Sequence, residues 1–269
     1  MYWNEEEVKD YIRYPSEGSA EELASEIYFI AQNELGQDEV MAELVNELEE
    51  NGYDYAPLRP YRSLEYYEMK TGEVRSTNKK QCVRYNEIML HCINILTEYP
   101  FALVTHPDPD SWKIVTAADL NTRTAKEFLF TYYAETAKAV ADLIKAEYSV
   151  EELQEVYEDI RPRGGAIGRW RNAVDENVNL HPVEFMSIAD LKEVIRGNED
   201  LLNQLGFSSK TQCKKAFDTV EKYRNKVMHG NRSVISSEGD VNALVESLEI
   251  ACNIAVESGG DGPGLDIPP

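Results

Sequence analysis

The sequence has no apolar run long enough to cross a membrane. The longest uncharged apolar stretch, residues 88–97, covers ten residues, whereas a transmembrane helix needs about 18 or more. Residues 1–10 also lack the basic start and apolar segment of a secretory signal, because Glu5, Glu6 and Glu7 occupy that position. We therefore expect no membrane partner and a cytoplasmic location.

Cysteine is scarce, and its spacing suits neither a zinc site nor a redox motif. Cys82, Cys92, Cys213 and Cys252 form no CxxC pair and no Cys/His cluster. We expect Cys92, Cys213 and Cys252 to be small buried residues on the apolar faces of helices. The sequence also offers no paired carboxylates, nucleophile or metal-ligand set that would indicate a small-molecule enzyme.

Basic residues are few: 27 Lys and Arg stand against 49 Asp and Glu, for a net charge of −22. With 42% hydrophobic residues in 269, the chain is long and apolar enough to fold around a core. A uniform acidic excess is typical of halophilic proteins, in which salt screens self-repulsion. We interpret the composition as salt adaptation, with an ordinary acidic protein as the alternative.

Hydrophobic periodicity predicts a mostly helical α+β fold. Ser19 and Glu22 form a capping-box pattern before helically spaced apolar residues, and a second such stretch ends at Asn51 and Gly52, so residues 1–75 begin with a helical pair. Residues 52–81 are rich in Tyr, Pro and Arg and predict a loop with a hairpin around Thr71 and Gly72.

Residues 76–130 predict a small α/β unit. An amphipathic helix over residues 88–96 is followed by strands at 101–105 and 112–116, which can pair as a hairpin, and by a helix from Ala117. Residues 131–256 carry helical apolar stripes throughout and predict an all-α bundle. Residues 257–269 are rich in Gly, Pro and Asp and predict a disordered tail.

Positive charge is concentrated in two segments of this bundle. Residues 161–171 contain Arg161, Arg163, Arg169 and Arg171 and no acid. Residues 208–232 contain seven basic and two acidic residues. Such segments in an acidic chain favour contact with an anion such as RNA phosphate. The alternative is that they are surface stretches whose positive charges pair with neighbouring acids.

The glycines of the first segment, residues 164–168, lack the spacing of a dinucleotide loop. We interpret this segment as a flexible arm on which Trp170 and the arginines clamp RNA, with Trp170 as a buried packing anchor as the alternative.

The second segment contains the motif Arg224-Asn225-Lys226-Val227-Met228-His229-Gly230. On a helix, Asn225 and His229 lie one turn apart and Arg224 lies beside Asn225. His229 falls in the last turn, where the helix dipole favours its protonated form. A histidine beside a fixed cation suits attack on a phosphodiester, although a histidine cap and an Arg–acid pair would give the same spacing.

Arg-Asn-x-x-x-His near the end of the second-last long helix of a bundle resembles the HEPN domain, over about residues 131–256. Residues 181–191, which precede the motif, are similar to the corresponding segment in one branch of the HEPN family. The resemblance implies a metal-independent endoribonuclease that works as a homodimer and leaves a cyclic phosphate, with Arg224, Asn225 and His229 as its catalytic residues. It also implies a role as a toxin or in antiviral defence, with an antitoxin or regulatory partner protein. RNA contacts would come from the basic residues of both segments: Arg161, Arg163, Arg169, Arg171, Lys222, Lys226 and Arg232.

Residues 99–104 and 112–120, ending in the hydrophobic-Thr-x-x-Asp-Leu segment Val115–Leu120, resemble a CBS motif. The resemblance implies that Thr116 contacts phosphate and Asp119 contacts the ribose of an adenine nucleotide, which would be a regulatory ligand and not a required cofactor. Thr116 and Asp119 also fit a helix cap, and only one repeat is recognisable where a CBS cleft needs a pair. A non-catalytic nucleotide- or RNA-binding dimerisation module is therefore the alternative function.

Overall fold

The computed structural model describes residues 19–26, 30–31, 38–59, 65–108, 111–160, 165–178, 180–237 and 239–260. These residues belong to two compact units, an α/β unit within residues 17–125 and a helical unit that includes residues 126–260. The predicted mostly helical α+β class is confirmed. The acidic N-terminus, residues 1–10, lies outside the described residues.

The described helices and strands are as follows. The helices are α1 (Ala20–Leu23), α2 (Asp38–Asn51), α3 (Met89–Glu98), α4 (Arg123–Glu147), α5 (Val150–Ile160), α6 (Gly165–Asp175), α7 (Ile188–Gly197), α8 (Glu199–Gln204), α9 (Lys210–Met228) and α10 (Gly239–Glu257). The strands are β1 (Ser25–Glu26), β2 (Ile30–Ala31), β3 (Tyr55–Arg59), β4 (Glu65–Glu68), β5 (Glu73–Ser76), β6 (Cys82–Arg84), β7 (Phe101–Thr105) and β8 (Lys113–Thr116). Short 3-10 helices cover Lys79–Gln81, Ala117–Asn121 and Pro182–Phe185.

The α/β unit contains two four-stranded sheets, ordered β1-β8-β7-β6 and β2-β3-β4-β5. In each sheet one parallel pair is joined by a helix, since α3 connects β6 to β7 and α2 lies between β2 and β3. A parallel pair requires such a crossover, whereas the antiparallel pair β7–β8 needs only a short turn. The predicted helix, strand and strand of residues 88–116 are thus confirmed, and Ala117 begins a 3-10 turn before α4.

Two tyrosines of β4 connect the layers of this unit. Successive strand residues point to opposite faces, so Tyr67 packs with Leu48 of α2 while Tyr66 packs with Phe101 of β7. The Tyr66 and Phe101 rings meet edge to face at 4.9 Å. Because the two sheets share this second cluster, the predicted boundary between residues 75 and 76 falls inside one packed unit.

The first half of the predicted helical pair is wrong among the described residues. Ser19 does cap α1 by accepting a hydrogen bond from the Glu22 N–H, but the helix ends after one turn, and Ser25 and Glu26 pair with β8. Strand pairing at β1 and β2 overrides the helical spacing of the apolar residues. The second helix is confirmed as α2, and Gly52 follows it in the left-handed conformation, at φ +70°.

The predicted hairpin of residues 52–81 is confirmed as β4–β5, whereas strand β3 was predicted as loop. The prediction of a loop rests on the abundance of Tyr, Pro and Arg in residues 52–81, and proline lacks the N–H that a sheet ladder uses. In the structure Pro57 precedes Leu58 and Arg59, the residues that pair with β2. Proline is therefore accommodated one residue before the parallel pairing begins.

The helical unit confirms the bundle predicted for residues 131–256. Helix α9 packs against α7 and α10, and α5 packs against α7. Buried hydroxyls join α4 to α10, because Tyr133 and Ser247 lie 3.1 Å apart and Thr136 donates to the Ala251 carbonyl at 3.1 Å. In the segment predicted as a disordered tail, Ser258 and Gly260 form hydrogen bonds to residues of α10 and so continue the end of that helix. Residues 261–269 lie outside the described residues.

All four cysteines have free thiols, and Cys92, Cys213 and Cys252 are buried, as predicted. Burial raises the pKa of each of these three thiols to about 12, so they are inert at neutral pH. None of the helices among the described residues combines the length and hydropathy that a bilayer crossing requires.

Ion pairs made by the buried Lys192 side chain connect α7 to α9. The Lys192 ammonium lies 2.6 Å from Asp218 and 3.4 Å from Glu221, and Lys214 also donates to Asp218. Desolvation raises the pKa of Asp218, but the hydrogen bonds and charges of Lys192 and Lys214 outweigh it and lower the pKa below its usual value. Desolvation likewise lowers the pKa of Lys192, and its two acidic partners raise it above the ordinary value.

Asp218→Asn is expected to reduce the free energy of unfolding by about 1–2 kcal/mol at pH 7, between the values for exposed and buried pairs. Because the folded-state pKa of Asp218 lies below its unfolded value, its stabilisation is present above about pH 4 and disappears as the pH falls through the folded-state pKa. Urea unfolding between pH 7 and pH 3 measures this difference. Asp142→Asn, at an exposed position of α4, is the control, and an equal pH dependence in both variants would contradict the assignment.

Candidate functional site

The Arg-Asn-x-x-x-His motif lies at the C-terminus of α9. Met228 is the last helical residue and His229 caps the helix, with its N–H donating to the Asn225 carbonyl at 3.2 Å. The Arg224 guanidinium donates to the Asn225 side-chain oxygen at 3.1 Å. Arg224 and Asn225 therefore lie in the last turns of α9, and His229, predicted within the last turn, is instead the extended residue that caps the helix.

Arg224 and Asn225 are half-buried and His229 is exposed. Among the described residues, no carboxylate forms an ion pair with Arg224 or His229. The alternative, in which a neighbouring acid pairs with Arg224, is therefore not observed among the described residues. A fixed cation and an exposed imidazole can together face the phosphate of a bound anion.

The loop after the motif is fixed by two lysines. Lys126 of α4 donates to the carbonyls of Gly230 and Arg232 at 3.1 and 2.8 Å, and Lys226 of α9 donates to the Val234 carbonyl at 2.9 Å. Both ammonium groups satisfy backbone oxygens just past the helix end, where carbonyls lack helical partners. The loop that follows His229 is thus held against α4 and α9.

Asp240 fixes the far end of this loop. Its carboxylate accepts hydrogen bonds from the Ser236 and Ser237 N–H groups at 2.7 and 3.1 Å, and the bond from Ser236 is the main cause of its lowered pKa. Tyr223 is buried beneath the loop, and the ammonium groups of Lys222 and Lys226 lie 5.2 and 5.0 Å from its ring centroid. These cation–π contacts keep two positive charges beside the motif.

The other predicted RNA-binding residues fall into three groups. Lys222 and Arg232 are exposed near the motif, and Lys226 is half-buried. Arg169 donates to the Phe185 carbonyl at 2.6 Å, and Arg171 forms an ion pair with Glu158. Both described arginines of the first basic segment thus have partners inside the helical unit. Arg161 and Arg163 lie outside the described residues.

The first basic segment is not a flexible arm over its described part. Residues 165–175 form helix α6, and the Trp170 indole donates to the Leu180 carbonyl at 2.9 Å. The glycine-rich sequence suggested flexibility, but buried Ala166 and Ile167 anchor the helix. Trp170 is half-buried, and this hydrogen bond ties its indole to residue 180.

The predicted nucleotide-binding residues form a capping box. Asp119 is buried, and its carboxylate accepts hydrogen bonds from the Thr116 N–H at 2.7 Å, the Thr116 hydroxyl at 2.9 Å and the Ser25 hydroxyl at 2.5 Å. Both carboxylate oxygens are therefore used inside the α/β unit, and a ribose would have to displace Ser25 or Thr116.

Sequence reasoning missed Lys126 and Lys192. Lys126 lies about 100 residues before the motif, so no local pattern connects the two. Lys192 lies on a helix face whose other residues are apolar. A lysine at such a position is unusual, and this is the one sequence feature that could have identified it. Among the described residues, no group of three or more His, Cys, Asp and Glu side chains is placed to hold a metal ion.

In comparisons with known proteins, no protein-family profile, curated protein or solved structure matches this chain.

Lys126→Met is expected to loosen the loop after His229, because the two carbonyls lose a charged donor. Bonds to charged groups contribute about 1.5–3 kcal/mol, so the Arg232 amide, which donates to the His229 carbonyl at 2.9 Å, should exchange with solvent roughly tenfold faster or more. Hydrogen exchange followed by mass spectrometry measures this. Lys138→Met changes an exposed lysine of the same helix and should leave the loop unchanged; equal exchange in both variants would refute the role of Lys126.

Asp119→Asn is expected to destabilise the α/β unit by about 1–3 kcal/mol without any nucleotide present, because a buried cap loses its acceptor. Ser25→Ala, which removes one of the three bonds, should cost less. Urea unfolding of both variants gives these differences. If the wild-type unfolding temperature rises with AMP and the increase is lost in Asp119→Asn, the carboxylate is instead available to a ribose.

Proposed function

We propose that the helical unit is a metal-independent endoribonuclease of the HEPN type, acting in the cytoplasm as a homodimer. The observation that carries this proposal is the placement of Arg224, Asn225 and His229 together at the end of α9, with no described acid paired to Arg224 or His229. The confirmed all-helical architecture of residues 131–256 is consistent with it.

The proposed reaction is transesterification within RNA. The 2′-hydroxyl attacks the adjacent phosphorus, the bond from phosphorus to the 5′-oxygen breaks, and the products are a 2′,3′-cyclic phosphate and a 5′-hydroxyl. His229 transfers a proton to or from one of these oxygens, and Arg224 stabilises the negative charge that develops on the phosphoryl oxygens. Asn225 holds the guanidinium through the 3.1 Å hydrogen bond to its side chain.

RNA contacts in this proposal come mainly from the cations around the loop. Lys222, Lys226 and Arg232 surround the helix end, and single-stranded RNA is bound through such positive charge on its backbone. Arg169 and Arg171 would have to leave the Phe185 carbonyl and Glu158 before they could contribute. We therefore place the RNA at the C-terminus of α9.

A toxin or antiviral-defence role, restrained by an antitoxin or regulatory partner protein, follows if the nuclease is active. The order β6-α3-β7-β8 supports a CBS-like interpretation of residues 76–130. An adenine nucleotide would then be a regulatory ligand of the α/β unit. The buried, fully bonded carboxylate of Asp119 supports the structural role of that residue more strongly.

Purified protein is expected to cleave end-labelled RNA at high KCl in the presence of EDTA and to leave cyclic phosphate ends. Arg224→Ala and His229→Ala should each lower the rate at least 100-fold, the usual cost of removing a charge stabiliser or a proton donor. Asn225→Ala should lower it about tenfold, since it removes one hydrogen bond that orients the arginine. Gel analysis of the products measures all three.

Arg75→Ala and His91→Ala, at exposed or half-exposed positions of the α/β unit, are matched controls and should cleave like the wild type. Cleavage that survives in Arg224→Ala and His229→Ala would refute the proposed site. A folded protein that binds RNA without cleaving it would support the non-catalytic binding module instead.

A further inference from the structure

The helix that carries the candidate catalytic motif also carries two acids. Asp218 and Glu221 precede Arg224 by six and three positions on α9. Residues three or four apart on a helix are neighbours, with Cβ atoms about 5–6 Å apart. Glu221 is therefore adjacent to both Arg224 and Asn225, whereas Asp218 lies nearly two turns away from Arg224.

In the structure Glu221 forms an ion pair with Lys192, and among the described residues no ion pair joins it to Arg224. The Lys192 ammonium, from α7, lies 3.4 Å from the Glu221 carboxylate and 2.6 Å from Asp218, and the lysine side chain is only 9% exposed. Arg224 instead donates to Asn225. Lys192 thus pairs with both acids of the second basic segment, and Lys214 is a further partner of Asp218.

Lys192 is well suited to hold Glu221. Its ammonium is buried and lies within ion-pair distance of the Glu221 carboxylate, and such a buried charge is costly to leave without a partner. Without Lys192, the nearest cation on the same helix face for Glu221 would be the Arg224 guanidinium. That pairing would block the arginine and place a negative charge close to where phosphate binds.

We propose that Lys192 is a positioning residue of the ribonuclease site, which binds Glu221 and thereby keeps Arg224 available for phosphate. The inference rests on the proposed function of α9. It assigns Lys192 no contact with RNA, because its effect passes entirely through Glu221.

Lys192→Met keeps the length of the side chain and removes its charge. We expect cleavage of end-labelled RNA to slow about tenfold, equivalent to about 1.4 kcal/mol of transition-state stabilisation. The double variant Lys192→Met/Glu221→Gln should regain most of the wild-type rate, because no carboxylate is left to capture Arg224. Restored cleavage separates this role from a purely structural one.

Lys192→Met/Asp218→Asn is the matched control. It has the same net charge as the rescuing double variant but retains Glu221, so it should remain as slow as Lys192→Met. Lys214→Met, which removes the other cation bonded to Asp218, should cleave like the wild type. Equal rescue by both double variants, or no loss of rate in Lys192→Met, would overturn the proposal.

A crystal structure of Lys192→Met tests the inference without RNA. We expect the Arg224 guanidinium within about 4 Å of the Glu221 carboxylate, the usual limit for an ion pair. If Arg224 remains bonded to Asn225 and apart from Glu221, Lys192 has no such role, whatever the nuclease assay gives. If the pair forms but the wild type does not cleave RNA, the positioning role stands and the proposed function fails.

Discussion

Burial of helix α9 determines the geometry of the candidate site. Cys213, Phe217, Val220, Tyr223 and Val227 form one buried stripe along the helix, and burying such a stripe fixes the rotation of the helix about its axis. With that rotation fixed, Asp218 and Glu221 face Lys192 of α7, and Arg224 and Asn225 lie at the border of the buried face. His229 then emerges where the helix ends. The geometry of the candidate site is therefore a consequence of core packing.

Elements whose hydrophobic pattern agrees with their tertiary partners could be predicted from the sequence. The apolar residues of β7 are buried on both faces, and the buried positions of α9 recur at helical spacing. These patterns predict a strand in the first case and a helix in the second. The helix predicted after Ser19 is wrong because β1 pairs with β8, far later in the sequence, and β2 pairs with β3, beyond helix α2. Strand pairing between distant segments has no local signature that could outweigh helical spacing.

The candidate site likewise has a part that the sequence predicts and a part that it does not. The adjacency of Arg224, Asn225 and His229 is local, and the helix alone dictates it. The contributions of Lys126 and Lys192 come from other helices, so only the folded structure reveals them. Thr116 and Asp119 illustrate a different difficulty, because the oxygens that would bind a nucleotide are the ones that cap a helix. The three hydrogen bonds that the Asp119 carboxylate accepts within the α/β unit identify these residues as a helix cap.

An acidic chain that uses cations to bind an anion must keep its own carboxylates away from them. With 49 acidic residues against 27 basic ones, random placement would give most lysines and arginines an acidic neighbour, as happens to Arg171 with Glu158 and to Arg75 with Glu68. Near the end of α9 the acids are occupied by other groups: Glu221 by Lys192, Asp218 by Lys192 and Lys214, and Asp240 by backbone N–H groups. The Lys126 and Lys226 ammonium groups near His229 are held by backbone carbonyls, and Lys226 also lies over an aromatic ring, so their positions are fixed. Local bonding of this kind allows several cations to lie near His229 on a protein whose net charge is strongly negative.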